Sequence, residues 1–134
     1  MAGRGVQVSD VSRQPAAGGE LDTEVFYRRE FTVFNPAGSV GVSCNGRGQI
    51  AGLFLDEDAL TSDEELAQEI VTIAGLARAK YRMELRLFSL QCVEAQGQNP
   101  DRMDRFYRGA QKLPTPEEYR EMEAAAFAGR YGHE

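Results

Sequence analysis

One histidine, two cysteines and two sets of spaced arginines are the side chains that invite a chemical reading in this 134-residue sequence. His133 stands next to the last residue, where chains commonly fray. A Ser-His-Asp or Cys-His site needs a positioned base, and no other histidine can supply one. Cys44 and Cys92 are far apart and form no CxxC, whereas zinc asks for Cys and His ligands in clustered spacing. Both are expected to be buried or half-buried free thiols. The acidic run DEDALTSDEE (Asp56–Glu65) suggests calcium. An EF-hand, however, needs an oxygen ligand two residues after Asp58, where Leu60 stands, and the loop glycine is missing. A helix start whose acids match the positive end of the helix dipole is the expectation instead. NGRGQIAG leads into a strand rather than a helix, so it makes no phosphate cradle. No catalytic residue, metal or cofactor is therefore expected, and the chain should work by binding.

Arg78, Arg82 and Arg86 follow one another at four-residue spacing with Lys80 beside them, and Arg102, Arg105 and Arg108 make a second basic set. Read functionally, such stripes hold phosphate or an acidic partner. Read structurally, they are the solvated face of an amphipathic helix, with Glu84 interleaved. The formal net charge of -6 weighs against a simple nucleic-acid binder, since phosphate contacts need Lys and Arg.

The elements that must carry these residues follow from hydrophobic period and turn chemistry. At 134 residues one domain is the prior. Residues 1–24 have no apolar period and read as a flexible arm without the apolar core of a secretory signal. Residues 25–134 read as one α+β domain. EVFYRREFTVF (Glu24–Phe34) is aromatic and β-branched and predicts a strand of about eight residues. NPAGS (Asn35–Ser39) is a turn. Val40, Val42 and Cys44 share one side of the next strand. Asn45-Gly46 predicts a type I′ hairpin turn, with Arg47-Gly48 available to lengthen it. The return strand runs Gln49–Leu55, with Ile50, Gly52 and Phe54 on one face and Ala51, Leu53 and Leu55 on the other. Both faces are apolar, so a cover is expected on each: a helix on one, a partner chain on the other. The result is a three-stranded antiparallel meander over about 25–55. A long helix then follows over about 62–91, opened by a Ser62–Glu65 capping box. Its stripe Leu66, Ile70, Ile73, Ala74, Ala77, Tyr81, Leu85 and Phe88 predicts the face that lies on the sheet. One or two C-terminal helices fill about 101–131. Asp101–Lys112 is the first, and the second is opened by Thr115, Pro116 and Glu118. No apolar run approaches the ~20 residues of a membrane span, so no membrane partner is expected.

Three stretches, FTVFNPAGSVGVS, LAQEIVTIAGLARAK and LPTPEEYREMEAAAFAGRY, fall in order between Phe31 and Tyr131. In that order they resemble the signature blocks of the mycobacterial EspD/EspH family, accessory proteins of ESX (type VII) secretion. The strand–Asn-Gly–strand–helix pattern of Ser39–Lys80 also resembles the YbaB-like group, which includes dimeric nucleoid-associated DNA binders. The first resemblance implies a cytoplasmic, chaperone-like accessory factor that binds and stabilises secreted ESX substrates or meets secretion components. Phe26, Phe31, Val33, Val42, Phe54 and Leu55, on the sheet and its edges, are the candidate contact or homodimer surface, since an open edge can pair with another chain. The second resemblance implies the alternative, DNA binding through Arg78, Lys80, Arg82 and Arg86. Tyr119 and Glu123 also match the Tyr-x-x-x-Asp/Glu export signal of type VII substrates, but in so acidic a chain core packing is the better account of Tyr119.

Overall fold

The computed structural model describes residues 22–57 and 63–131. The expected arm up to residue 21, the Ser62 half of the first capping box and His133 lie outside the described residues. The elements run α1 (Thr23–Tyr27), β1 (Glu30–Phe34), β2 (Val40–Asn45), β3 (Ile50–Leu55), α2 (Asp63–Ala95), α3 (Pro100–Gly109) and α4 (Pro116–Tyr131). The sheet is an antiparallel meander of order β1-β2-β3, so the fold is the α+β arrangement expected from the sequence.

One strand is shorter than the sequence predicted. Glu24–Tyr27 belongs to a helical turn, and only Glu30–Phe34 pairs with β2. Asp22 caps that turn, its side chain accepting from the Glu24 N–H at 2.9 Å. The turn swings Phe26 inward, where its ring stacks on Phe88 at 4.7 Å and meets Phe31 at 5.7 Å and Tyr81 at 6.3 Å. A straight strand could not have delivered Phe26 and Phe31 to one aromatic cluster, because an odd separation puts them on opposite faces.

The loop between β1 and β2 is pinned to α2. The Asn35 side-chain oxygen accepts from the backbone N–H groups of Ser39 and Val40 at 2.9 and 3.2 Å. Its amide donates to Glu69 at 2.6 Å. Gly38 takes a φ of 74°, which a side chain would resist.

The hairpin between β2 and β3 reverses where expected but by a different device. Neither Asn45 nor Gly46 has a positive φ; Gly48 does, at 83°. The Gly48 N–H donates to the Asn45 carbonyl, and the Asn45 side chain accepts from the N–H groups of Arg47 and Gln49. That is a longer loop closed by a left-handed glycine rather than a two-residue type I′ turn. Gly46 is required for another reason. A Cβ there would overlap the Phe26 carbonyl oxygen and sit 2.6 Å from the Tyr27 Cα.

The predicted stripe of α2 faces the sheet. Val33, Val40, Val42 and Cys44 pack with Ile73, Leu76 and Ala77, flanked by Leu66, Ile70, Ala74 and Tyr81. Burial pushes the Cys44 thiol above its ordinary range, against the pull of Arg78, and Cys92 is also a free thiol. Tyr119 near the start of α4 meets Ala79 and Met83, while Ala126 and Phe127 near its end join the Ile73–Ala77 cluster. α4 therefore runs back antiparallel along α2. The second capping box forms as predicted: the Thr115 N–H donates to the Glu118 carboxylate at 2.9 Å, and the Glu118 N–H donates to the Thr115 hydroxyl at 3.1 Å. The Thr115 bond holds the Glu118 carboxyl below its usual range.

Candidate functional site

α2 rests on β1 and β2 and leaves β3 beyond it. In an antiparallel pair, residues directly opposite share a face. Leu55 lies opposite Val40 and Leu53 opposite Val42, so both leucines point to the helix side. Phe54 lies opposite Gly41 and points to the outer side. A register shift between Ser43 and Cys44 places Ile50 opposite Cys44. Simple alternation grouped Ile50 with Phe54; the bulge moves it to the side of Leu53 and Leu55 instead.

The helix-side residues of β3 find no helix over them. Ile50 is 43 % exposed, Leu53 49 %, Phe54 47 % and Leu55 45 %. The helix expected over one face of this strand is thus absent among the described residues. On the outer side, the Phe34 and Phe54 rings lie 5.9 Å apart. A side chain at position 41 would strike the Phe34 ring, so Gly41 gives that ring a flat floor. The buried Ser43 hydroxyl bonds Thr32 at 2.6 Å beside this aromatic pair. Among the described residues, the result is a strand with one unpaired edge and apolar side chains open on both faces. No charged residue interrupts Ile50–Leu55, and none of the usual guards of an edge strand, a Lys or a Pro, is present. Arg47, stacked 4.3 Å from the Tyr27 ring, stands before it, and Asp56 and Glu57 stand after it.

Of the six residues expected at the contact surface, the structure splits four from two. Phe26, Phe31, Val33 and Val42 are core residues, each 5 % exposed or less, and cannot reach a partner. The short helix and the cover of α2 put them inside. Phe54 and Leu55 remain at the surface beside Ile50, Leu53 and Phe34, which the sequence reading passed over. Their signal was present in the sequence: apolar residues on both parities of the last strand of a meander, where one neighbour is missing.

The α2 basic stripe is largely spent inside the molecule. Lys80 donates to the Thr32 carbonyl at 3.1 Å. Arg82 donates to the carbonyls of Gln111 and Lys112 at 2.9 and 3.1 Å. Arg86 is buried and paired with Asp104 at 2.8 Å. Only Arg78 of the four is left on the surface without a described hydrogen bond or ion pair. Tyr119 of the export-like motif is buried, and burial together with Glu123 pushes its phenol well above the ordinary range. No group of three or more His, Cys, Asp or Glu among the described residues is placed to hold a metal ion. No helix among them is long and apolar enough to cross a membrane.

No family model matches the chain, and no solved structure matches it. The ESX-1 secretion-associated protein EspH of Mycobacterium tuberculosis is 38% identical to it over 106 residues, which is 75% of this chain and 58% of EspH. The ESX-1 secretion-associated protein EspD of the same species is 37% identical over equal shares. The two likenesses support an Esp-like ESX family for this chain. The chain spans about 58% of the length of the two relatives. Within the Esp-like chain, the three stretches that carried the resemblance are framework. The first holds β1, the Asn35 knot and most of β2; the second is the sheet-facing half of α2; the third is the capped helix α4. β3 and α3 lie outside all three stretches.

Proposed function

We propose that the protein is a non-enzymatic, chaperone-like accessory factor of type VII secretion in the cytoplasm. It holds a secreted ESX protein by letting an apolar stretch of that client pair with β3. One observation carries this reading: an uncharged edge strand, open on both faces, in an Esp-like chain. Backbone pairing along such an edge supplies affinity, and apolar side chains on alternate sides supply selectivity. Without a client, the same edge is suited to a second copy. Antiparallel pairing of two β3 strands brings the Arg47 end of each toward the Asp56–Glu57 end of the other, so opposite charges meet at both ends of a homodimer.

Affinity purification of the full chain from a mycobacterial host, with mass spectrometry of what accompanies it, tests the reading. The wild type is expected to retain a secreted ESX protein, and Leu53→Lys to retain about tenfold less, the scale of one lost apolar anchor. Recovery of nucleoid DNA without any secretion-system protein contradicts the proposal, as does equal recovery by the Lys variant.

A further inference from the structure

α3 is a second surface that the β3 reading leaves unused. No residue of this ten-residue helix is buried. Asp104, which pairs with Arg86, marks the side of α3 turned to α2; Met103 and Tyr107 share that side and are half-buried. On the opposite side stand Arg102, Arg105 and Phe106, all exposed, with Phe106 at 48 %. Arg105 and Phe106 stand three and four residues after Arg102, which puts each of them within about 6 Å of Arg102 at its root. Among the described residues neither Arg102 nor Arg105 has a hydrogen bond or ion pair, although Asp101 stands four residues before Arg105. Arg108, by contrast, is paired with Glu118 at 3.4 Å. The basic set that survives folding is therefore on α3, not on α2.

We infer that this face of α3 docks an acidic segment of a partner protein, with two carboxylates on Arg102 and Arg105 and an apolar side chain against Phe106. Charge complementarity selects the class. Two free guanidiniums about one helical turn apart match two carboxylates of a single segment, and each can be gripped bidentately. A duplex would want more phosphate contacts than two, and it would approach a chain of net charge -6. An anionic membrane surface would ask for a cluster of four or more basic residues. The exposed ring beside the two arginines adds an apolar contact that neither of those partners needs. The site lies outside β3, so its failure would leave the client reading untouched.

The test uses the full chain and a fluorescently labelled peptide of four Glu-Glu-Leu repeats, read by anisotropy. Binding is expected to weaken about tenfold in the double variant Arg102→Glu, Arg105→Glu, and severalfold in Phe106→Ala. The double variant should keep the wild-type melting temperature, because neither arginine has a partner among the described residues; Phe106→Ala gives up only the edge contact of its ring with Tyr107 at 5.8 Å and should lower it by a few degrees at most. The matching Gln-Gln-Leu peptide should bind at least about tenfold more weakly than the acidic one. Equal binding of the two peptides, or an unchanged affinity in the charge-reversed variant, overturns the inference. So does tighter binding of an anionic lipid vesicle or a DNA oligonucleotide than of the acidic peptide.

Discussion

A methyl group at position 46 has nowhere to go, because the backbone of Phe26 and Tyr27 already occupies the space a Cβ would need. Gly46→Ala is expected to cost about 3 kcal/mol, the scale of overpacking against rigid backbone, and to lower the melting temperature by roughly 10 °C. Gly75→Ala, on an exposed turn of α2 with nothing within 4 Å, should instead raise it by a few degrees, since alanine favours a helix interior by about 1 kcal/mol. Thermal unfolding of the two variants reads both signs, and a harmless Gly46→Ala would mean that α1 does not lie against the hairpin. The Asn45-Gly46 pair marked the reversal correctly in the sequence. The reason for its glycine was not legible there, because the atoms it avoids come from a segment twenty residues earlier. The capping box at Thr115 and Glu118 was fully legible, because it is a local bargain among neighbours in sequence.

Among the elements, α2 was the easiest to read and α1 the hardest. Thirty-three residues give the apolar period of α2 many turns in which to declare itself, and its length of about 50 Å follows at 1.5 Å per residue. Four of the five residues of α1, all but Glu24, are aromatic or β-branched, so local preference reads them as strand. The aromatic cluster around Phe88 overrides that preference, with Arg29 closing the junction by pairing with Glu84 at 3.3 Å and lying 4.9 Å over the Phe31 ring. The α2 arginines show the same limit from the other side. Their spacing was visible, but their partners on α3 and the loop after it were not. Arg86→Met is expected to cost about 2 kcal/mol, less than a fully buried pair because Asp104 retains some access to water. Hydrogen exchange should speed up in α3 while the sheet-facing half of α2 stays protected. Duplex DNA affinity should not change. A lost DNA affinity with an unchanged melting temperature would return Arg86 to the surface and revive the nucleic-acid reading.

For the molecule as a whole, the order of elements was legible and the distribution of cover was not. Sequence alternation gives the side of a strand on which a residue sits, but not whether anything stands over it. α2 covers two strands of three, which with α1 turns Phe31, Val33 and Val42 into core and leaves Ile50, Leu53 and Leu55 open, while Phe54 lies open on the outer side. An uncovered strand of this kind is a hazard unless it is used. The most direct test places a photo-crosslinking amino acid at position 54, on β3, and separately at position 71, an α2 site whose valine is 70 % exposed. With the full chain in a mycobacterial host, crosslinks to a secreted ESX protein or to a second copy are expected from position 54 and not from position 71. Equal yields from both positions, or no protein adduct from position 54, would contradict the assignment of β3 as the working surface.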